Sequence, residues 1–204
     1  MVGYYNYTVI LTYIGTLFGF AGIGCMINGN IKMALICLMI AGFCDMFDGL
    51  IAATRERTDA ERRFGIQIDS LSDLICFGLL PSVIVFRCAG GKPIHYIIPA
   101  MYMLSALIRL AWFNVDEEIR QNEEAGSRES YLGLPVTSVA LLIPLFWGAA
   151  SLLRLPVEQL AIWLLLVIGI AFLAPFHLKK PKQTGKLVMS LMGVLTLVLV
   201  LIGV

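Results

Sequence analysis

The sequence predicts an all-α integral membrane protein, a helical bundle of six core transmembrane helices plus an additional C-terminal span. Three observations carry that expectation. Hydrophobic residues make up 59% of the 204 and charged ones only 14%, a balance far from that of a water-soluble domain. Apolar windows of about 20 residues, the length a helix needs to cross a hydrocarbon core, recur along the whole chain. None of them alternates apolar with polar residues as the strands of a membrane barrel do.

Taken in order, the windows fall at 8–27, 33–52, 65–86, 94–113, 134–151, 158–177 and 187–204. Turn and charge signals separate them: Asn28-Gly29-Asn30, a charged run at 54–63, Gly90-Gly91-Lys92-Pro93, a polar run at 114–130, Leu155-Pro156 and Lys179-Lys180-Pro181-Lys182. MVGYYNYT lacks the basic region of a cleavable signal, so the first window reads as a retained span. The whole of 1–204 reads as one membrane domain without internal repeats. Cys25, Cys37, Cys44, Cys76 and Cys88 lie in or beside apolar runs and form no Cys-x-x-Cys pair, which marks them as small buried hydrophobes. Tyr4, Tyr5, Tyr7, Trp112 and Trp147 read as interfacial anchors or packing. A net charge of +1, with no basic stripe among aromatics, gives no case for nucleic-acid binding.

Basic residues set the expected orientation. With the N-terminus in the cytoplasm of a bacterial-type cell, the cytoplasmic loops hold Arg55, Arg57, Arg62, Arg63, Arg120, Arg128, Lys179, Lys180, Lys182 and Lys186. The opposite loops hold only Lys32, Arg87, Lys92 and Arg154. This places the end of the second span and the start of the third on the cytoplasmic face.

That junction carries the chemistry. Asp45, Asp48, Asp69 and Asp73 stand at the ends of two apolar runs; fully immersed, each would cost roughly 2.5 to 3.5 kcal/mol, about 10 kcal/mol or more together. On helices, Asp45 and Asp48 are i, i+3 and Asp69 and Asp73 are i, i+4, so each pair shares a face. Four hard oxygen ligands brought together by a short loop suit Mg²⁺ or Mn²⁺ and could share two ions per site at about 3.5 to 4 Å. The competing reading is a set of solvated helix-end carboxylates balanced by loop arginines. Gly49 and Gly65 flank the set, either to admit a phosphate to the backbone or to pack helices.

The order Asp45-x-x-Asp48-Gly49-x-x-Ala52, then Gly65-x-x-x-Asp69-x-x-x-Asp73, resembles the signature of the CDP-alcohol phosphotransferases, here spanning 45–73. Phe64 to Asp73, Arg109-Leu110-Ala111 and Gly133-Leu134-Pro135-Val136 are similar to the bacterial phosphatidylserine synthase branch. Two departures stand out. The family usually has arginine after the Ala52 position, where this chain has Ala53; Arg55, two residues on, is the candidate replacement. The segment from Ala53 to Gly65 is longer than the commonest spacing, as in the serine branch.

The resemblance implies transfer of the phosphatidyl group of CDP-diacylglycerol to the hydroxyl of L-serine with release of CMP, in a homodimer embedded in membrane lipids. It implies Asp45, Asp48 and Asp69 as metal ligands, with Asp73 sharing a metal and acting as general base. Gly49, Ala52, Gly65 and Arg55 would face the substrate. Thr8 and Thr12, i and i+4 at the start of the first span, either contact the nucleotide or bond to their own helix. Arg109, inside a span, binds phosphate or carboxylate or else snorkels. Gln67, Ser70 and Ser72 line the site or join helices. Two other functions stay open: the same chemistry on glycerol phosphate or inositol phosphate, and an ion- or proton-coupled transporter, whose acids would spread along a crossing route.

Overall fold

Asn6 opens the first helix: its Oδ1 accepts from Thr8 N at 3.1 Å, starting a 3-10 turn over Tyr7–Val9 that runs into α1, Ile10–Ile27. The computed structural model describes residues 3–90, 92–123, 130–179 and 183–204. Asn30 caps α2, Ile31–Ala52, by accepting from Met33 N at 3.1 Å. Then follow α3 (Asp59–Asp73), a π-helical segment (Leu74–Leu79), α4 (Leu80–Cys88) and α5 (Ile94–Glu123). A short strand β1 (Ser130–Leu132), a 3-10 turn (Val136–Ser138), α6 (Val139–Leu152), α7 (Val157–Leu173), strand β2 (His177–Lys179) and α8 (Gln183–Gly203) complete the chain. The all-α class holds.

Among the described residues, four helical stretches are long and apolar enough to cross a membrane: Tyr7–Ile27, Ile31–Ala52, Asp59–Cys88 and His95–Ile119. Val136–Leu152, Val157–Leu173 and Val188–Gly203 are shorter apolar helices, near the lower limit of about 17 residues for a span. The buried core runs between helices and is built from residues such as Leu35, Leu38, Phe77, Leu80, Ile84, Tyr102, Ile143, Leu165 and Phe172. Large apolar side chains also cover the outside, among them Leu17, Phe20, Trp163, Val167 and Ile202. An apolar exterior around a packed interior is what lipid as solvent requires.

Several boundaries differ from the sequence expectation. The charged run at 54–63 is not all loop, because helix resumes at Asp59. Thr58 and Glu61 form a reciprocal capping box there, which satisfies two donors that a membrane-surface helix start leaves free. Helix α5 continues through the polar run to Glu123, and α7 stops at Leu173, just before Pro175. The strands β1 and β2, unforeseen in the sequence, pair antiparallel with Tyr131 opposite Leu178. Gly133 follows β1 with φ 78°, and a Cβ there would lie 3.0 Å from Ala174 O, so this turn needs glycine. The orientation argument from Arg128, Lys180 and Lys182 lies outside the described residues.

The π segment has a local cause. Pro81 has no N–H to offer the preceding turn, and side chains attend to the carbonyls there. Tyr102 of α5 donates its hydroxyl to Phe77 O at 2.6 Å, and Ser82 Oγ lies 2.8 Å from Gly78 O and 3.0 Å from Pro99 O. The rod from α3 to α4 is thereby rewound immediately after Asp73.

Candidate active site

Helix α1 packs against both α2 and α3, and the space between the latter two is a small pocket. Its walls are Leu11, Thr12 and Gly15 from α1; Ala41, Cys44, Asp45 and Asp48 from α2; and Asp69, Ser72, Asp73, Cys76 and Phe77 from the α3 rod. A volume of about 10 Å³ is room for about one water. The α1 backbone comes this close because position 19 is glycine: a Cβ there would fall 2.6 Å from Cys76 Sγ.

The structure brings all four aspartates to this pocket. Asp45, Asp48 and Asp69 each offer an oxygen within 4.8 Å of the others. Asp73 lines the same pocket beside them. Asp73 is only 8% exposed. Negative groups this close repel strongly where water is scarce. Among the described residues Asp69 Oδ1 is buried with no hydrogen-bond partner, an unfilled acceptor on a residue that shares its pocket with three other carboxylates. A donor set made only of carboxylate oxygens fits a hard divalent cation. The acids gather at one end of the bundle rather than along a crossing route.

Hydroxyls tie α1 to the acids. Thr12 Oγ1 donates to Asp48 Oδ2 at 3.2 Å, and Thr16 Oγ1 lies 2.7 Å from Ser72 Oγ and 2.8 Å from Thr12 O. Such bonds between membrane helices are worth about 0.6 kcal/mol each on average, so their service here is to orientation more than stability. Thr8 turns away: its hydroxyl donates to Asn6 Oδ1, while Asn6 Nδ2 donates to Glu61 Oε1 at 3.1 Å.

The remaining expected residues are not among those that line the pocket. Gly49 is exposed and open, with no atom within 4 Å of an added Cβ; Ala52 ends α2. Arg55 is ion-paired with Glu61 at 3.6 Å. Gln67 is exposed, and Ser70 Oγ donates to Asn114 Oδ1 at 3.0 Å. Arg109 is buried rather than snorkelling. Its Nε donates to Leu134 O at 3.4 Å and its guanidinium stacks on Trp112 and Phe113, 5.3 and 5.9 Å from the ring centres. Gly65 lies beneath Arg57, whose Nη1 is 3.2 Å from where a Cβ would stand.

Sequence reasoning missed Thr16, Arg57, Asn6 and Glu61 and left Ser72 undecided. Thr16 extends the i, i+4 row of Thr8 and Thr12, a signal present in the sequence. Arg57 sits in a loop, where no periodicity says which way a side chain turns.

Comparison with known proteins finds relatives over much of the chain. An archaetidylserine synthase of Methanothermobacter thermautotrophicus is 28% identical over 166 residues, 80% of this chain and 67% of that protein. A CDP-diacylglycerol–serine O-phosphatidyltransferase of Helicobacter pylori is 28% identical over 164 residues, 76% of this chain and 66% of the relative. The Saccharomyces cerevisiae protein of the same description is 32% identical over 108 residues, 52% of this chain and 38% of its own length. The chain thus spans about two thirds of the length of the first two and well under half of the third. The sequence pattern of the CDP-alcohol phosphatidyltransferases matches residues 5–174. That stretch carries the acidic pocket, the α1 hydroxyls and the Gly133 turn, and over it the chain belongs to the CDP-alcohol phosphatidyltransferase family.

Proposed function

We propose that this protein is a phosphatidylserine synthase, transferring the phosphatidyl group of CDP-diacylglycerol to L-serine. The observation that carries the reading is the convergence of Asp45, Asp48, Asp69 and Asp73 from two membrane helices on one pocket. The names of the Helicobacter and yeast relatives support serine as acceptor. A donor with two acyl chains also explains a site at the end of membrane helices, since the lipid need not leave the bilayer.

Asp45, Asp48, Asp69 and Asp73 would hold Mg²⁺ or Mn²⁺, as two ions, which when bound neutralise charge on a diphosphate. The serine hydroxyl oxygen attacks the lipid-bearing phosphorus; a P–O bond forms, the anhydride P–O bond breaks, and CMP leaves. Asp73 takes the hydroxyl proton. A carboxylate is too weak a base to ionise free serine, so it acts in the transition state, as bond formation acidifies the hydroxyl. Thr12 fixes the carboxylate of Asp48. Gly49, Ala52 and Gly65 give the nucleotide end access to the backbone, and Thr8, Arg55, Gln67, Ser70 and Arg109 form the wider contact set. We read 1–204 as one domain, working as a homodimer, with the carboxylate end facing the cytoplasm. Hydrogen bonds gather the N-terminal turn, the α2–α3 loop and the charged part of α5 at that end.

The test is CMP release from CDP-diacylglycerol by the purified protein, with and without Mg²⁺ or Mn²⁺, offering serine, glycerol phosphate and inositol phosphate in turn. Metal-dependent release with serine preferred is expected. Release without metal, or preference for a phosphorylated alcohol, would overturn the mechanism or the acceptor respectively.

A further inference from the structure

The missing arginine after Ala52 leaves a diphosphate without its usual cation, and Ala53 is exposed with nothing to offer in its place. The arginines nearby are in different states. Arg55 is paired with Glu61, which also accepts from Asn6 and from Thr58 N; Arg62 is paired with Asp59 at 2.7 Å. Arg63 is exposed. Arg57 alone among the four is half-buried, and it has neither ion pair nor hydrogen bond among the described residues.

Its position is specific. Arg57 stands two residues before α3, and its side chain runs along the first turns of that helix to lie over Gly65, Nη1 being 3.2 Å from the site of a Cβ. Gly65, Asp69 and Asp73 are i, i+4 and i+8, one row on one helix face. The guanidinium therefore stands on the row of the carboxylates, about 6 Å along the axis from Asp69. A half-buried cation with no counter-ion carries a desolvation cost that an arriving anion relieves, and a planar guanidinium matches two phosphate oxygens at once. The extra residues between Ala53 and Gly65 are what allow a loop arginine to turn back to this point.

We infer that Arg57, held over Gly65, supplies the cation that faces the diphosphate of the nucleotide-activated lipid in place of the arginine absent at position 53. The inference rests on the phosphatidyltransferase reading above, and binding of CDP tests it separately from turnover.

The experiment uses the full chain in detergent or lipid, measuring KM for CDP-diacylglycerol and for serine, and equilibrium binding of CDP in the presence of Mg²⁺ or Mn²⁺. Arg57→Ala is expected to raise the donor KM and weaken CDP binding at least tenfold while moving the serine KM less than twofold. Arg57→Lys should recover part of the loss, as should Ala53→Arg added to Arg57→Ala. Gly65→Ala, whose methyl would stand 3.2 Å from Arg57 Nη1 and shift the guanidinium by only a few tenths of an ångström, should raise the donor KM less than Arg57→Ala does. Arg62→Ala, which removes a like charge near the start of α3, should change it less than twofold. A donor KM within twofold of wild type in Arg57→Ala, or a larger effect from Arg55→Ala, would overturn the assignment. If the wild type binds CDP but releases no CMP, the proposed reaction fails while Arg57-dependent binding still upholds the contact; binding indifferent to Arg57, or no binding at all, removes it.

Discussion

Asp69 Oδ1 in α3 and Thr196 Oγ1 in α8 are both buried side-chain oxygens with no hydrogen-bond partner among the described residues, yet their surroundings differ in kind. Thr196 is fully buried on a helix that packs against α6 and α2. An unmatched neutral hydroxyl costs about 1 to 3 kcal/mol, and the fold carries that cost without further consequence. Asp69 shares its pocket with three other carboxylates, where more acceptors make each one harder to satisfy. An orphan hydroxyl is a packing imperfection; an orphan carboxylate among carboxylates is a candidate site for a cation.

The comparison can be broken most directly at the acidic end. Asp69→Asn and Asp73→Asn keep shape but remove charge, and each should lower CMP release at least about a thousandfold, roughly 4 kcal/mol in the barrier. Their thermal midpoints should not fall, because a repulsion is removed along with the ligand; activity within tenfold of wild type would sink the assigned roles. Metal removal comes next. Chelation should abolish turnover reversibly, and Mg²⁺ or Mn²⁺ at about 100 times its Kd should stabilise the wild type by about 2.7 kcal/mol, seen as a raised melting temperature. Asp69→Asn should lose that rise. An unchanged shift would place the ion elsewhere.

Smaller effects sharpen the contrast. Tyr102→Phe strips the hydroxyl from Phe77 O and should cost about 1 kcal/mol of stability, read as a lower midpoint in detergent. No change would mean that the π segment holds its shape unaided. Thr196→Val removes an unmatched oxygen at nearly constant volume and should be neutral or stabilising by up to about 1 kcal/mol. A loss above about 2 kcal/mol in that variant would show that the hydroxyl has a partner and that the two orphans are not comparable.

Much of the site was legible because helical spacing is local information. Asp45 with Asp48, and Asp69 with Asp73, had to share faces once their runs were helices, whereas the contact of Thr12 with Asp48 was not specified by spacing within α1. Arg109 was legible only as a buried cation: its partners, Trp112, Phe113 and Leu134 O, include a turn 25 residues away. The end of α5 was misplaced because charged residues were read as loop, although a helix leaving the membrane can continue through polar sequence.

By itself the sequence determined the all-helical membrane class and the face-sharing acid pairs, since these follow from composition and from spacing within one helix, and the order of its acidic motif carried the resemblance to the family. Tertiary structure alone decided that α1 closes the pocket with Thr12, that Tyr102 holds the rewound turn after Asp73, and that Arg57 rather than its paired neighbour lies over Gly65. Those facts depend on which distant groups meet, and in a membrane, where every helix is apolar on the outside, hydrophobic pattern does not specify which neighbour a helix takes.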